Sequence, residues 1–115
     1  GEALRPLRNE GVLIVGSGSW THDLRRFRGQ PIDAPETPDV TAFSDWMDLA
    51  VREGRRADLL AYRREAPFAV QQHPTEEHLL PLFVAMGAGG DPMKAERIHA
   101  SNTYGMLRMD AYAFH

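Results

Sequence analysis

The sequence predicts an α/β fold, and three observations carry that prediction. The apolar run Val12-Leu13-Ile14-Val15 is bounded by Gly11 and Gly16, which reads as a short, buried strand of a parallel sheet. Phe43, Trp46, Met47, Ala50 and Val51 recur at helical spacing behind Thr41, marking an amphipathic helix able to lie as a layer on that sheet. The β-favouring residues Ile98, Tyr112 and Phe114 place late strands at Arg97–Ala100 and Met106–Phe114.

The remaining elements follow in order. Glu2 to Arg8 reads as the tail of a helix, with Leu4 and Leu7 on one face and Arg5 and Arg8 favourably near its carboxyl end. After the strand, Gly16-Ser17-Gly18 makes a turn, and Thr21 can cap a short helix through His22, Asp23, Leu24 and Phe27 that ends at Gly29 and Pro31. Pro31, Pro35 and Pro38 make Gln30–Asp39 an ordered loop. Beyond the Thr41 helix, a second is predicted over Ala57–Arg64, with Leu59, Leu60 and Tyr62 available for burial. A third runs from Glu76 to about Met86, capped by Thr75 and ended by Gly87, Gly89 and Gly90. Pro81 removes a hydrogen bond to the Glu77 carbonyl and is expected to kink that helix just past His78.

Composition narrows the function classes. At 115 residues the chain has room for one small domain, or a piece of one. With 13 basic and 16 acidic residues it carries a formal charge of −3, and no basic stretch is long enough for a nucleic-acid footprint. The cluster Arg25, Arg26 and Arg28 is flanked by Asp23 and Asp33 and reads as a solvated helix end. Absence of cysteine excludes thiolate metal sites, disulfides and a thiol nucleophile, and agrees with a reducing cytoplasm. No apolar stretch approaches the ~20 residues that span a bilayer, and the amino end lacks the form of a signal peptide. A soluble cytoplasmic protein, with no nucleic-acid or membrane partner, is therefore expected.

Two segments carry chemistry. Gly16-Ser17-Gly18 after a strand suggests a dinucleotide site, yet Thr21 stands where a third glycine belongs. The same residues do not form a hydrolase elbow, because Ser17 sits directly between two glycines. The glycines do permit close backbone approach, and His22 beyond them is either a general base, an imidazole titrating near 6.5 when unperturbed, or a structural histidine. The second segment is His73-Pro74-Thr75-Glu76-Glu77-His78. Pro74 prevents the two histidines from sharing one continuous helical face, and at ~100° per residue Glu76, Glu77 and His78 cannot all point inward. One of these three is then the natural metal ligand, unless the segment is an ordinary capped helix with solvated carboxylates. His99 and His115 read as structural or surface residues, and Trp20 and Phe83 as core rather than as aromatic walls of a pocket.

Together these segments resemble a known family. Gly11–Arg25 (GVLIVGSGSWTHDLR), His73–Ala88 (HPTEEHLLPLFVAMGA) and Tyr104–Phe114 (YGMLRMDAYAF) are similar, in order and spacing, to the DODA-type class III extradiol ring-cleavage dioxygenases, relatives of protocatechuate 4,5-dioxygenase and the 4,5-DOPA dioxygenases. The resemblance implies a three-layer α/β sandwich with a mostly parallel central sheet, and it runs from near the middle of a family member to its carboxyl terminus. The chain then represents either a single domain over residues 1–115 or the carboxyl-terminal half of the catalytic domain.

The resemblance also implies roles. His22 matches the active-site histidine taken as acid/base toward the catechol hydroxyl, and His78 a metal-ligand position, with Glu77 its closest rival. His73 and Ser17 take pocket positions, orienting a ligand or touching substrate. Fe(II) is the implied metal, although imidazoles would also accept Zn(II). The partners implied are a small catechol, O2 and an amino-terminal half or companion chain supplying further ligands, with self-association through an exposed sheet edge also expected. Asp23 and Arg108 depart from the family, which commonly has asparagine and serine there. The opposing possibility is a non-catalytic partner or inactive fragment derived from the same fold.

Overall fold

The computed structural model describes residues 1–115. Its centre is α1 (Pro38–Arg52), which buries Val40, Phe43, Met47, Ala50 and Val51, one continuous face of the predicted helix. The helix begins three residues ahead of Thr41, with Thr37 at the N-cap and Pro38 in the first turn, where a missing N–H is harmless. Thr41 instead donates its hydroxyl to Glu36 (2.7 Å).

Three short helices follow: α2 (Arg56–Leu60), α3 (Tyr62–Glu65) and α4 (Ala69–Gln72). The single helix expected over Ala57–Arg64 is thus divided at Ala61. Leu59 and Tyr62 point into the core, while Leu60 lies outside it. A turn then leads to α5 (Leu80–Gly89), which starts later than predicted. Pro81 does not kink this helix; it occupies the first turn and marks its start, leaving His78 in the preceding turn. Thr75 does not cap the helix but donates to Glu77 (2.7 Å). The amino-terminal segment is a 3-10 helix, Glu2–Glu10, lying against α5. From it Arg8 donates to the Ala88 and Gly89 carbonyls, a cation at the carboxyl end of α5.

The late strands are present as β1 (Ala95–His99), β2 (Asn102–Thr103), β3 (Leu107–Arg108) and β4 (Ala111–Phe114). They form two separate two-stranded antiparallel sheets, β1 with β4 and β2 with β3. The fold is therefore mixed α/β with short antiparallel sheets, and the expected parallel central sheet is not formed within these residues. The buried strand expected at Val12–Val15 is also absent: Leu13 is 85% and Val15 74% exposed. Strand pairing is non-local, and residues 12–15 find no ladder partner here.

The core joins α1 to Trp20, Leu59, Tyr62, Leu79 and Met86. Trp20 stacks on Tyr112 with ring centroids 4.7 Å apart, and the Tyr112 hydroxyl donates to Asp48 (2.7 Å). Burial, reinforced by the Asp48 carboxylate, pushes the Tyr112 phenol far above its ordinary range. Trp20 and Phe83, the latter tilted against Tyr62 at 5.9 Å, pack as core residues, in agreement with the sequence. Only 23 of 115 residues are buried, so a large share of the apolar surface stays uncovered. No helix is long and apolar enough to cross a membrane.

Candidate active site

The glycines after Val15 determine where the histidines meet. A Cβ at Gly16 would lie 2.2 Å from the Pro81 carbonyl oxygen, and one at Gly18 2.2 Å from that of His78. Only glycine lets the extended segment lie this close to the entry of α5. The contact is sealed where the Ser19 amide donates to the His78 carbonyl (2.7 Å). Three residues further on, the His22 ring stacks on His78, with centroids 3.7 Å apart and planes 13° from parallel. Residues 56 apart in sequence thus share one contact.

The backbone around His22 is held on three sides. Its own amide donates to the Gln72 carbonyl (2.9 Å). Thr21, expected as a helix cap, is fully buried; it donates to the Met106 carbonyl (2.8 Å) and accepts from the Arg108 amide (2.9 Å). The helix it was expected to cap shrinks to one 3-10 turn, Leu24–Arg26. On the third side the Trp20 carbonyl lies 2.9 Å from His73 Nε2. Because a carbonyl only accepts, that nitrogen carries the proton.

His73 is fully buried, its ring tilted against Phe43 with centroids 5.7 Å apart. Burial holds its pKa below the ordinary imidazole value, against the raising effect of the Trp20 bond, and the nearby His22, His78 and Arg63 charges add to the lowering. His73 is thus a neutral brace at neutral pH. Ser17 is exposed and lines an apolar groove that His78 also borders, leaving its hydroxyl accessible to a ligand.

Gln72 and Asp39, not singled out in the sequence, complete this support together with Arg26. Gln72 Nε2 donates to Asp39 (2.7 Å), and Arg26 grips both Asp39 oxygens at 2.5 and 3.1 Å. Burial alone would raise the Asp39 pKa; hydrogen bonds from Arg26 and Thr37 and the Arg26 charge outweigh it and hold the carboxylate low. Arg26 is therefore a structural ion-pair partner, not part of a solvated basic cluster. The two departures from the family are also engaged. Arg108 bridges Glu36 (3.2 Å) and Asp110 (3.0 Å), and Asp23 accepts from Arg25 (2.8 Å). His99 faces Ser101 and His115 lies near Glu96, both at the exposed surface as expected.

As to a metal, Glu77 Oε1 lies 3.6 Å from His78 Nδ1, and the Glu77 carboxylate is exposed and tied to Thr75. The Thr75 hydroxyl first, then the Glu77 backbone amide and the adjacent imidazoles, lower its pKa. In stacked imidazoles the nitrogen lone pairs lie in nearly parallel planes and cannot converge on one ion. No group of three or more histidine and carboxylate side chains here could hold a metal. The residues of this chain do not by themselves fit a complete metal centre.

Comparison with known proteins places this arrangement. The family described as the catalytic LigB subunit of aromatic ring-opening dioxygenase matches residues 1–115. The chain belongs to the LigB family. Among its LigB-family relatives, the 4,5-DOPA dioxygenase extradiol of Beta vulgaris is 41% identical over 114 residues, covering 99% of this chain and 42% of the relative. That of Portulaca grandiflora is 40% identical, with 99% and 42% covered, and that of Escherichia coli K12 is 30% identical, with 81% and 35% covered. A crystal structure of an uncharacterized Escherichia coli K12 protein matches with a TM-score of 0.79 at 26% identity, over 97% of this chain and 47% of that one. The chain spans about two fifths of the length of the plant relatives. The family resemblance seen in the three sequence segments is thereby established.

Proposed function

We infer that this chain is the carboxyl-terminal portion of an extradiol dioxygenase that opens the ring of a small catechol with O2. The observation that carries the inference is the His22–His78 contact, built by close glycine packing at the matching family motifs. Within it, His22 holds and moves the proton of a catechol hydroxyl, work suited to an imidazole near neutrality. His73, Gln72 and Thr21 fix its backbone, and Ser17 sits where it can meet substrate. His78 is the chain's metal ligand, with Glu77 as rival. A companion amino-terminal portion supplies the other ligands and completes the parallel sheet of a three-layer sandwich. Fe(II) is the expected native metal, and Zn(II) would occupy the same ligands without settling the native one.

The absence of three converging ligands favours one competing reading, a binding or structural partner without turnover. Co-expression with the portion of the Beta vulgaris relative that lies outside the match separates the two. After anaerobic loading with Fe(II), a catechol such as DOPA and oxygen should give a yellow ring-opened product, and the chain alone should give none. A purified, iron-loaded complex with no ring opening of any catechol tried would remove the dioxygenase reading.

A further inference from the structure

We propose that Arg63 is a positioning residue for the histidine pair: with Tyr62 beside it, it clamps the segment His73–Leu79 so that His78 is presented to the His22 ring. That segment leaves α4 at the buried His73 and re-enters the core at the buried Leu79. The residues between them, Pro74 to His78, form neither helix nor strand, and none is buried. Core packing therefore does not determine their path, and polar contacts must.

Arg63 supplies most of those contacts. Its guanidinium donates to the His73 carbonyl at 2.8 Å and to the Pro74 carbonyl at 3.4 Å. No backbone amide bonds to either carbonyl, so the guanidinium is their hydrogen-bond donor. It also lies 3.8 Å from one oxygen of Glu76, whose other oxygen accepts from the Tyr62 hydroxyl (3.0 Å). The ion pair is long and partly exposed and adds little by itself; the two carbonyl bonds carry the clamp. A planar fork of N–H donors can span adjacent carbonyls, whereas a lysine ammonium is a point charge on a flexible stem. At the far end the Ser19 amide holds the His78 carbonyl (2.7 Å). Arg63 thus fixes where the exposed span starts and Ser19 where it ends, and between them the His78 ring meets His22.

The turn before α4 points the same way. Phe68 has φ 57°, in the left-handed region that a bulky side chain rarely enters. The reversal lets α4 pack back against α3 and brings the His73 carbonyl to a guanidinium 10 positions earlier in the chain. Such strain persists where the surrounding structure requires one backbone path. The catalytic consequence of the clamp rests on the dioxygenase reading above; the ring geometry does not.

The test is ring-proton NMR on the chain and on Arg63→Gln and Arg63→Lys, each checked as folded by circular dichroism. Both variants should lose most of the mutual ring-current shifts of His22 and His78. Arg64→Gln, at the neighbouring exposed arginine paired only with Glu65, should keep them. In the iron-loaded complex with the complementary portion, Arg63→Lys should lower kcat by about ten- to a hundredfold and leave KM for the catechol within about threefold. If Arg63→Gln does not fold, Arg63→Lys decides alone, since it keeps the charge and loses the fork. Ring shifts unchanged in Arg63→Lys, or lost equally in Arg64→Gln, would overturn the proposal. Ring opening absent from the parent complex would defeat the dioxygenase reading and leave the ring shifts to decide the clamp. Ring opening intact in the parent, with parental ring shifts and kcat in Arg63→Lys, would defeat the clamp alone.

Discussion

Gly18→Ala is the sharpest perturbation of the geometry that joins the two histidines. Its Cβ would sit 2.2 Å from the His78 carbonyl oxygen, and the shortest ordinary contact is 3.4 Å, so the segment must withdraw by about 1.2 Å (3.4 − 2.2). Gly18 has no positive φ to complicate the interpretation, which leaves a steric effect alone. The same withdrawal carries the Ser19 amide from 2.7 Å to well beyond bonding distance of the His78 carbonyl. Losing that bond costs about 1 kcal/mol. Overpacking against backbone adds about 1–3 kcal/mol. The total is about 2–4 kcal/mol, a large share of the roughly 5–15 kcal/mol that holds a domain together. Urea unfolding should show this loss, and a melt should fall by roughly 8–16 °C. Ring-proton NMR should show the His22 and His78 signals losing their mutual ring-current shifts. Gly11→Ala is the matched control: φ is +78° with nothing within 4 Å of the new Cβ, so only backbone strain of about 1–2 kcal/mol is expected, without change at the histidines. A Gly18→Ala protein within about 0.5 kcal/mol of the parent, or with unchanged histidine signals, would refute the close-approach reasoning.

Two further outcomes follow from the supporting residues. Burial lowers the His73 pKa, so below the ordinary value of 6.5 the unfolded chain takes up the proton first. Stability should therefore fall as pH drops through 6.5 and level off below the folded-state pKa, with a slope of at most about 1.4 kcal/mol per pH unit, and this component should vanish in His73→Gln when urea titrations are compared across pH. Asp39→Asn removes the charge gripped by Arg26 and should cost about 1–3 kcal/mol at pH 7. Since the folded Asp39 pKa is depressed, its contribution is complete above the unfolded value near 3.8 and is lost as pH falls through the lower folded value. The variant should accordingly lose less stability than the parent on acidification, and faster exchange of the His22 amide would report the loosened Gln72.

The amphipathic face of α1 was legible because helical periodicity is local, and Val40, Phe43, Met47, Ala50 and Val51 are all buried as that face requires. The Val12–Val15 run shows the limit of the same logic. Its strand preference is local, but burial needs a partner strand, and none of these residues supplies one. Pro81 was legible as a break and misplaced as a kink, because the same missing N–H suits the first turn of a helix equally well. Residues as short as α4, Ala69–Gln72, leave too few periods to read. In the site, His22, His73 and His78 were singled out from their local segments, and the family motifs supplied their roles. The Arg26–Asp39–Gln72 support was not, since its members lie 13 and 33 residues apart and carry no spacing signal.

The assignment of His78 as metal ligand and His22 as acid/base is tested most directly by iron content and ring opening measured on the same samples of the complemented chain. His78→Ala should lose both bound iron and yellow product, whereas His22→Ala should keep its iron and lose the product. Iron retained in full without His78, or lost without His22, would contradict the division of roles between the two stacked imidazoles.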